Sequence, residues 1–92
     1  MYVILVYDIS TEEGGGRRVQ KMLKHCRKYL NWIQNSVFEG EITEVKLKEL
    51  VLKARLIMNE DTDSIIIFKS REERWLDKEV IGVERMTTDP FL

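Results

Sequence analysis

Two short runs, one at the start of the chain and one two-thirds along it, are apolar at consecutive rather than alternate positions: Tyr2-Val-Ile-Leu-Val-Tyr7 and Ser64-Ile-Ile-Ile-Phe68. A strand with one wet face alternates apolar and polar residues, so a run that is apolar at every position has to be covered on both sides. Both runs are rich in β-branched and aromatic residues and read as strands, the first of them central. They are far shorter than the ~20 residues of a membrane-spanning helix. No basic leader followed by a long apolar stretch opens the chain, so no signal peptide and no membrane partner are expected. A single cysteine, Cys26, makes no internal disulfide and fits a cytoplasmic location.

Between the runs the periodicity changes. From Arg17 to Leu30 the apolar positions are Val19, Met22, Leu23, Cys26 and Leu30, a helical stripe. Cys26 falls on that stripe and reads as core filling. His25 lies beside it among cations and is expected at the surface, which leaves no second group for cysteine–histidine or serine–histidine catalysis. Residues 9–16, with Gly14-Gly15-Gly16, read as a mobile loop, and Asn31 is placed to end the helix in a left-handed turn. Trp32-Ile-Gln34 and Val37-Phe-Glu39 bracket Asn35-Ser36 as a hairpin. Thr43 is a fair N-cap, with Ile42 and Leu47 spaced as a hydrophobic staple. Leu47, Leu50, Val51, Ala54, Ile57 and Met58 form the stripe of a second helix. Asn59–Asp63 is an acidic loop, Arg71–Arg74 a turn, and Val80-Ile-Gly-Val83 a weak strand pattern.

The order is β-α-β-β-α-β with a C-terminal extension, the ferredoxin-like α+β sandwich, with residues 1–78 as the domain and 79–92 as an extension. Helices cover one sheet face in that arrangement. The two-sided apolarity of the first and last core strands means the other face needs a cover as well, and a second copy of the chain is the economical one. The expectation is a homodimer through the open face, with the strand at Val80–Val83 pairing across to the partner.

The charge is uneven. The net value is −1, yet between Gly14 and Phe38 there is no acid, while Arg17, Arg18, Lys21, Lys24, Arg27 and Lys28 supply six positive charges. A basic segment in an otherwise acidic chain suits a polyanion on one surface, or simply a solvated helix face. Asp8 ends a buried strand, where a carboxylate is costly unless it is paired or open to water. With the first strand taken as parallel to the third and antiparallel to the last, its end would share one sheet edge with Glu39, Glu41, Asp61 and Asp63. Carboxylates converging there suit a hard cation such as magnesium. The alternative is a strand-terminating aspartate beside a solvated acidic loop.

Tyr7-Asp8-Ile9, the arginines and lysines leading into an amphipathic helix, and Gln34-Asn-Ser-Val-Phe-Glu-Gly40 at that distance together resemble the CRISPR-associated protein 2 family over roughly residues 1–70. The resemblance implies a ferredoxin-like homodimer in which two copies of Asp8 face each other and hold a divalent ion, magnesium or manganese. It implies metal-dependent endonuclease activity on RNA or double-stranded DNA and a part in spacer acquisition, with the CRISPR integrase as partner. Asp8 is carried over as the catalytic and metal-binding residue, and Arg17 and Arg18 as nucleic-acid contacts, with Ser36 and Phe38 near the site. The basic helix face extends the nucleic-acid surface to Lys21, Lys24 and Lys28. Where many relatives have glycine, this chain has Leu30-Asn31-Trp32. A non-catalytic scaffold holding duplex DNA between integrase subunits stays open, because phosphate contacts need only Arg and Lys in register. A toxin-type ribonuclease of the virulence-associated protein D kind also fits. A ferredoxin-like single-stranded RNA binder is weakened, because no stretch resembles the aromatic sheet motif such domains use for stacking.

Overall fold

The computed structural model describes residues 1–12 and 14–85. Its elements are β1 (Tyr2–Asp8), α1 (Gly15–Arg27), β2 (Asn31–Gln34), β3 (Val37–Glu41), α2 (Glu44–Ile57) and β4 (Ser64–Ser70), followed by one 3-10 turn at Glu73–Trp75. The sheet order is β2-β3-β1-β4, and every pairing is antiparallel. The α+β sandwich with β-α-β-β-α-β order is therefore as expected.

The pairing of β1 with β3 differs from the expected parallel one. Crossover through α1 brings β2 into the sheet in the direction of β1. The tight turn at Asn35-Ser36 then sends β3 back, so β3 opposes both neighbours. Asn35 supplies the turn's left-handed residue, at φ 42°. Asn31 does not play that part; it opens β2, and α1 ends earlier than expected, with Lys28 as a right-handed cap.

Side chains alternate across β1. Val3, Leu5 and Tyr7 face the helices and form the core with Met22, Cys26 and Leu30, with Phe38, and with Leu47, Leu50 and Ala54 of α2. Thr43 caps α2 by accepting the Lys46 N–H at 3.2 Å, and Ile42 and Leu47 are both buried at the helix start. The opposite sheet face carries Ile4 and Val6, which pair with Phe68 and Ile66. Ile66 and Phe68 are 53 % and 56 % exposed, so the second face of β4 is apolar and uncovered in the single chain.

One expectation at the periphery is corrected. Gly15 and Gly16 belong to α1 rather than to a loose loop. A Cβ on Gly15 would lie 1.7 Å from the Ser10 carbonyl oxygen, so the glycine admits a close backbone contact, and Gly14 at φ 81° makes the entry turn. Val80–Val83, expected to pair with a partner chain, makes no strand with the described residues of its own chain; Ile81 and Val83 are exposed and Gly82 has φ 93°. Residues 86–92 of the expected extension lie outside the described residues. Among the described residues no helix is long and apolar enough to cross a membrane.

Candidate metal and nucleic-acid site

Asp8 is the last residue of β1 and pairs in register with Ser64, the first of β4. The Tyr7 N–H donates to the Ser36 carbonyl at 3.1 Å, which brings the tip of the β2–β3 hairpin against the same strand end. Alternation puts Asp8 on the open face with Val6 and Ile4. Its carboxylate is exposed and has no hydrogen bond or ion pair among the described residues. Tyr7 points the other way, stacked on Phe38 at 6.1 Å between ring centroids. Burial pushes its phenol up to about 12, so it stays protonated at neutral pH and is no general base.

The expected convergence of five carboxylates does not form. Antiparallel pairing places Glu41 opposite Tyr2 and Glu39 opposite Ile4. Glu39 is thus ~13 Å along the sheet from Asp8 at 3.3–3.4 Å per residue. It is buried, ion-paired with Lys78 and hydrogen-bonded by the Tyr2 hydroxyl. Burial, and then Glu39 itself, drive the Tyr2 phenol upward. Asp61 is exposed in the loop before β4. Among the described residues no three histidine, cysteine or acidic side chains are grouped to hold a metal. One chain therefore offers a hard cation one open carboxylate, which fits an ion that keeps several waters and takes one or two protein carboxylates.

Asp63, expected in a solvent-facing acidic loop, is buried instead, with its side chain at 0 % exposure. Its Oδ1 accepts the Ser10 N–H at 2.9 Å and the Thr62 hydroxyl at 3.0 Å. Its Oδ2 accepts Arg18 Nε–H and the Asn59 N–H, both at 2.9 Å. Burial alone would raise this carboxyl; the hydrogen bonds from Asn59, Ser10, Arg18 and Thr62 outweigh it and hold the group down at about 2. A signal is present in the sequence. Arg18, Met22 and Cys26 are spaced i, i+4, i+8, so Arg18 belongs to the apolar face and needs a buried partner.

The other candidate nucleic-acid residues separate accordingly. Arg17, Lys21, Lys24 and Lys28 are exposed along the outer side of α1, whereas Arg18 turns inward to Asp63 with 16 % of its side chain accessible. Arg27 packs its guanidinium over the Trp32 ring, 5.6 Å from the centroid. His25 is a correction: it is buried between the helices, its Nε2 2.8 Å from the Leu50 carbonyl oxygen and its ring edge-on to Tyr29. Cys26 is fully buried and burial pushes its thiol up to about 12, as suits core filling rather than a nucleophile.

Comparison with known proteins gives a consistent result. The family described as CRISPR associated protein Cas2 matches residues 1–78. The CRISPR-associated endoribonuclease Cas2 of Fusobacterium nucleatum is 50 % identical over 92 residues, covering all of this chain and 87 % of that protein. The protein of the same name from Dictyoglomus turgidum is 42 % identical, with both chains covered in full. Among solved structures, Streptococcus pyogenes Cas2 superposes with a TM-score of 0.80 at 31 % identity, over 89 % of this chain and all of the other.

Proposed function

The chain belongs to the CRISPR-associated protein Cas2 family, and from that premise we propose that it is a divalent-metal-dependent endonuclease that acts on RNA, works as a homodimer and takes part in spacer acquisition. The observation that carries the reading is the state of Asp8: an open, unpartnered carboxylate at the end of a strand whose other residues are mostly buried. Such a group has no structural work to do where it stands, and its lone pairs are free for a cation. Magnesium or manganese, held by Asp8 of each of two copies, supplies stabilisation of the charge that develops on a scissile phosphate and a more acidic bound water.

The residues of the chain supply the rest. The exposed Ile66 and Phe68 favour a second copy over the open face, which would bring the two Asp8 carboxylates toward one another. Exposed Val80, Ile81 and Val83 have no strand partner among the described residues and suit pairing of segment 79–92 with the other copy. Arg17, Lys21, Lys24 and Lys28 form a stripe for phosphate contacts. That stripe also supports a second reading, a scaffold that holds duplex DNA between subunits of the CRISPR integrase without cleaving it.

Cleavage of RNA and of duplex DNA, with magnesium or with EDTA, separates the two readings when the wild type is set beside Asp8→Asn. The expected result is magnesium-dependent hydrolysis that Asp8→Asn abolishes, with dimerisation and duplex binding intact. Full cleavage by Asp8→Asn removes Asp8 from the mechanism. Absence of cleavage in the wild type, with duplex binding retained, leaves the scaffold. Sedimentation at micromolar concentration tests the dimer, which deletion of residues 79–92 should weaken.

A further inference from the structure

We propose that Asp63 is the positioning residue of the Asp8 strand end, and that Arg18 serves it as a strut rather than as a nucleic-acid contact. The inference rests on the reading of Asp8 given above.

Asp8 is bounded by two short stretches of chain, and Asp63 holds both. On one side the backbone runs through Ile9, which is buried, to Ser10, whose N–H is held at 2.9 Å by Asp63 Oδ1. On the other side Asp8 pairs with Ser64, the residue bonded to Asp63 itself. The same carboxylate gathers Asn59 from the end of α2, Thr62 from the loop and Arg18 from α1. Arg18 Nη2 also approaches the Ser10 carbonyl at 3.5 Å. Four segments that meet at one strand end are therefore tied through a single side chain with no exposed surface.

A fully buried carboxylate with four donors is more than the local turn needs, because that turn is already closed by the Asp61 N–H on Asn59 Oδ1 at 3.0 Å and by the Thr62 and Asp63 N–H groups on the Asn59 carbonyl at 3.0 and 2.8 Å. The contacts from Ser10 and Arg18 are the surplus, and they fix the segment that leaves Asp8. A carboxylate that must meet a cation, a water and a phosphate tolerates little displacement; a misplacement of about 1 Å costs on the order of 100-fold in rate. Arg18 also has its guanidinium turned inward, so the phosphate-facing cations of α1 are its neighbours and not Arg18.

The test uses the full chain with RNA substrate and magnesium, and duplex binding read across a salt series. In Asp63→Asn, Oδ1 can still accept from Ser10, while the new amide opposes the donors of Arg18 and Asn59. Arg18→Gln is the gentler variant, leaving Asp63 three donors, and Arg18→Lys restores the charge. The expected result for Arg18→Gln is a kcat lower by 10-fold or more with KM within about 2-fold. Arg18→Lys recovers part of that loss, and the log–log salt slope of duplex binding stays at the wild-type value. Arg17→Gln gives the converse in binding, a slope smaller by about 0.9. Asp63→Asn should match Arg18→Gln and speed amide exchange at Asn59; if it fails to fold, Arg18→Gln decides. A slope change in Arg18→Gln equal to that in Arg17→Gln, or an unchanged kcat, overturns the proposal. If Asp8→Asn itself cleaves normally, the reading of Asp8 fails first, and the salt-slope arm still decides the placement of Arg18.

Discussion

The two ends of the open sheet face treat a carboxylate in opposite ways. At the Tyr2 end, Glu39 is buried, and a hydroxyl and an ammonium converge on it: the Tyr2 phenol and Lys78, the latter carried over by the segment after the 3-10 turn. That segment, from Glu73 to Glu79, lines an open cavity together with Tyr2, Ile4 and Glu39. At the other end, Asp8 is exposed and has no partner among the described residues, although a second aspartate close by, Asp63, has four. An acid that serves the fold is neutralised by donors the fold brings to it, whereas an acid left open to water costs the fold nothing and is free to meet a ligand, the role proposed for Asp8.

The largest effect expected from breaking this contrast is on stability. Removing one partner of a buried ion pair strands the other, at about 3 kcal/mol. Asp63→Asn should cost about that much in denaturant unfolding. Asp8→Asn should cost nothing in the metal-free protein, and in a dimer it relieves repulsion between apposed carboxylates. Equal losses for the two aspartates would erase the distinction. Next comes the far end: Glu39→Gln, which keeps the shape and removes the charge, should lose roughly 1–3 kcal/mol through the Lys78 and Tyr2 hydrogen bonds. It should leave cleavage at saturating magnesium unchanged. A Glu39→Gln protein that unfolds normally but cannot cleave would move the site to the wrong end of the sheet.

Acid titration sharpens the same comparison. The Asp63 carboxyl sits at about 2 in the folded chain against an ordinary 3.8. A depressed folded value means that the unfolded state binds the proton first. The stabilisation is therefore present in full above about 3.8 and lost as the pH falls from there toward 2. Wild type and Asp63→Asn should converge in stability across that window, as followed by circular dichroism. A gap that stays constant down to pH 2 would show that the ionised form of Asp63 is not what the fold uses.

The architecture was legible because it follows from periodicity. Two short runs apolar on both faces had to be strands, the first of them central and the second at the sheet edge with one face uncovered, and two stripes had to be helices on one face of the sheet. The Asn35-Ser36 turn and the Thr43 cap were legible for the same reason, each being set by residues within four positions. Strand direction was not legible from any single element, and the mistaken parallel pairing of β1 and β3 moved Glu39 and Glu41 to the wrong end. His25 and Arg18 were misplaced by a different cause. A charged or titratable residue on an amphipathic helix is assigned outward by default; the spacing of Arg18 with Met22 and Cys26 argued against that, but what each residue meets inside, the Leu50 carbonyl for His25 and Asp63 for Arg18, was not in the local pattern. Those partners lie 25 and 45 residues away in sequence, beyond any local pattern.

The smallest effect concerns the outer face of α1, where the contrast is between adjacent arginines. Arg17, Lys21, Lys24 and Lys28 are exposed, at spacings that keep them on one side of the helix. Surface substitutions of this kind change stability by no more than about 0.5 kcal/mol each. Replacing Arg17, Lys21 and Lys24 with alanine should therefore leave thermal unfolding almost unmoved. Duplex binding should weaken at every sequence alike, because phosphates carry no base information, and its salt slope should fall by about 0.9 for each phosphate no longer neutralised. If the triple variant keeps the wild-type slope, the stripe is only solvated, and nucleic acid must reach Asp8 across another surface. A slope that falls for these three and not for Arg18→Gln would show that one helix turn divides its cations between a ligand outside and a carboxylate within.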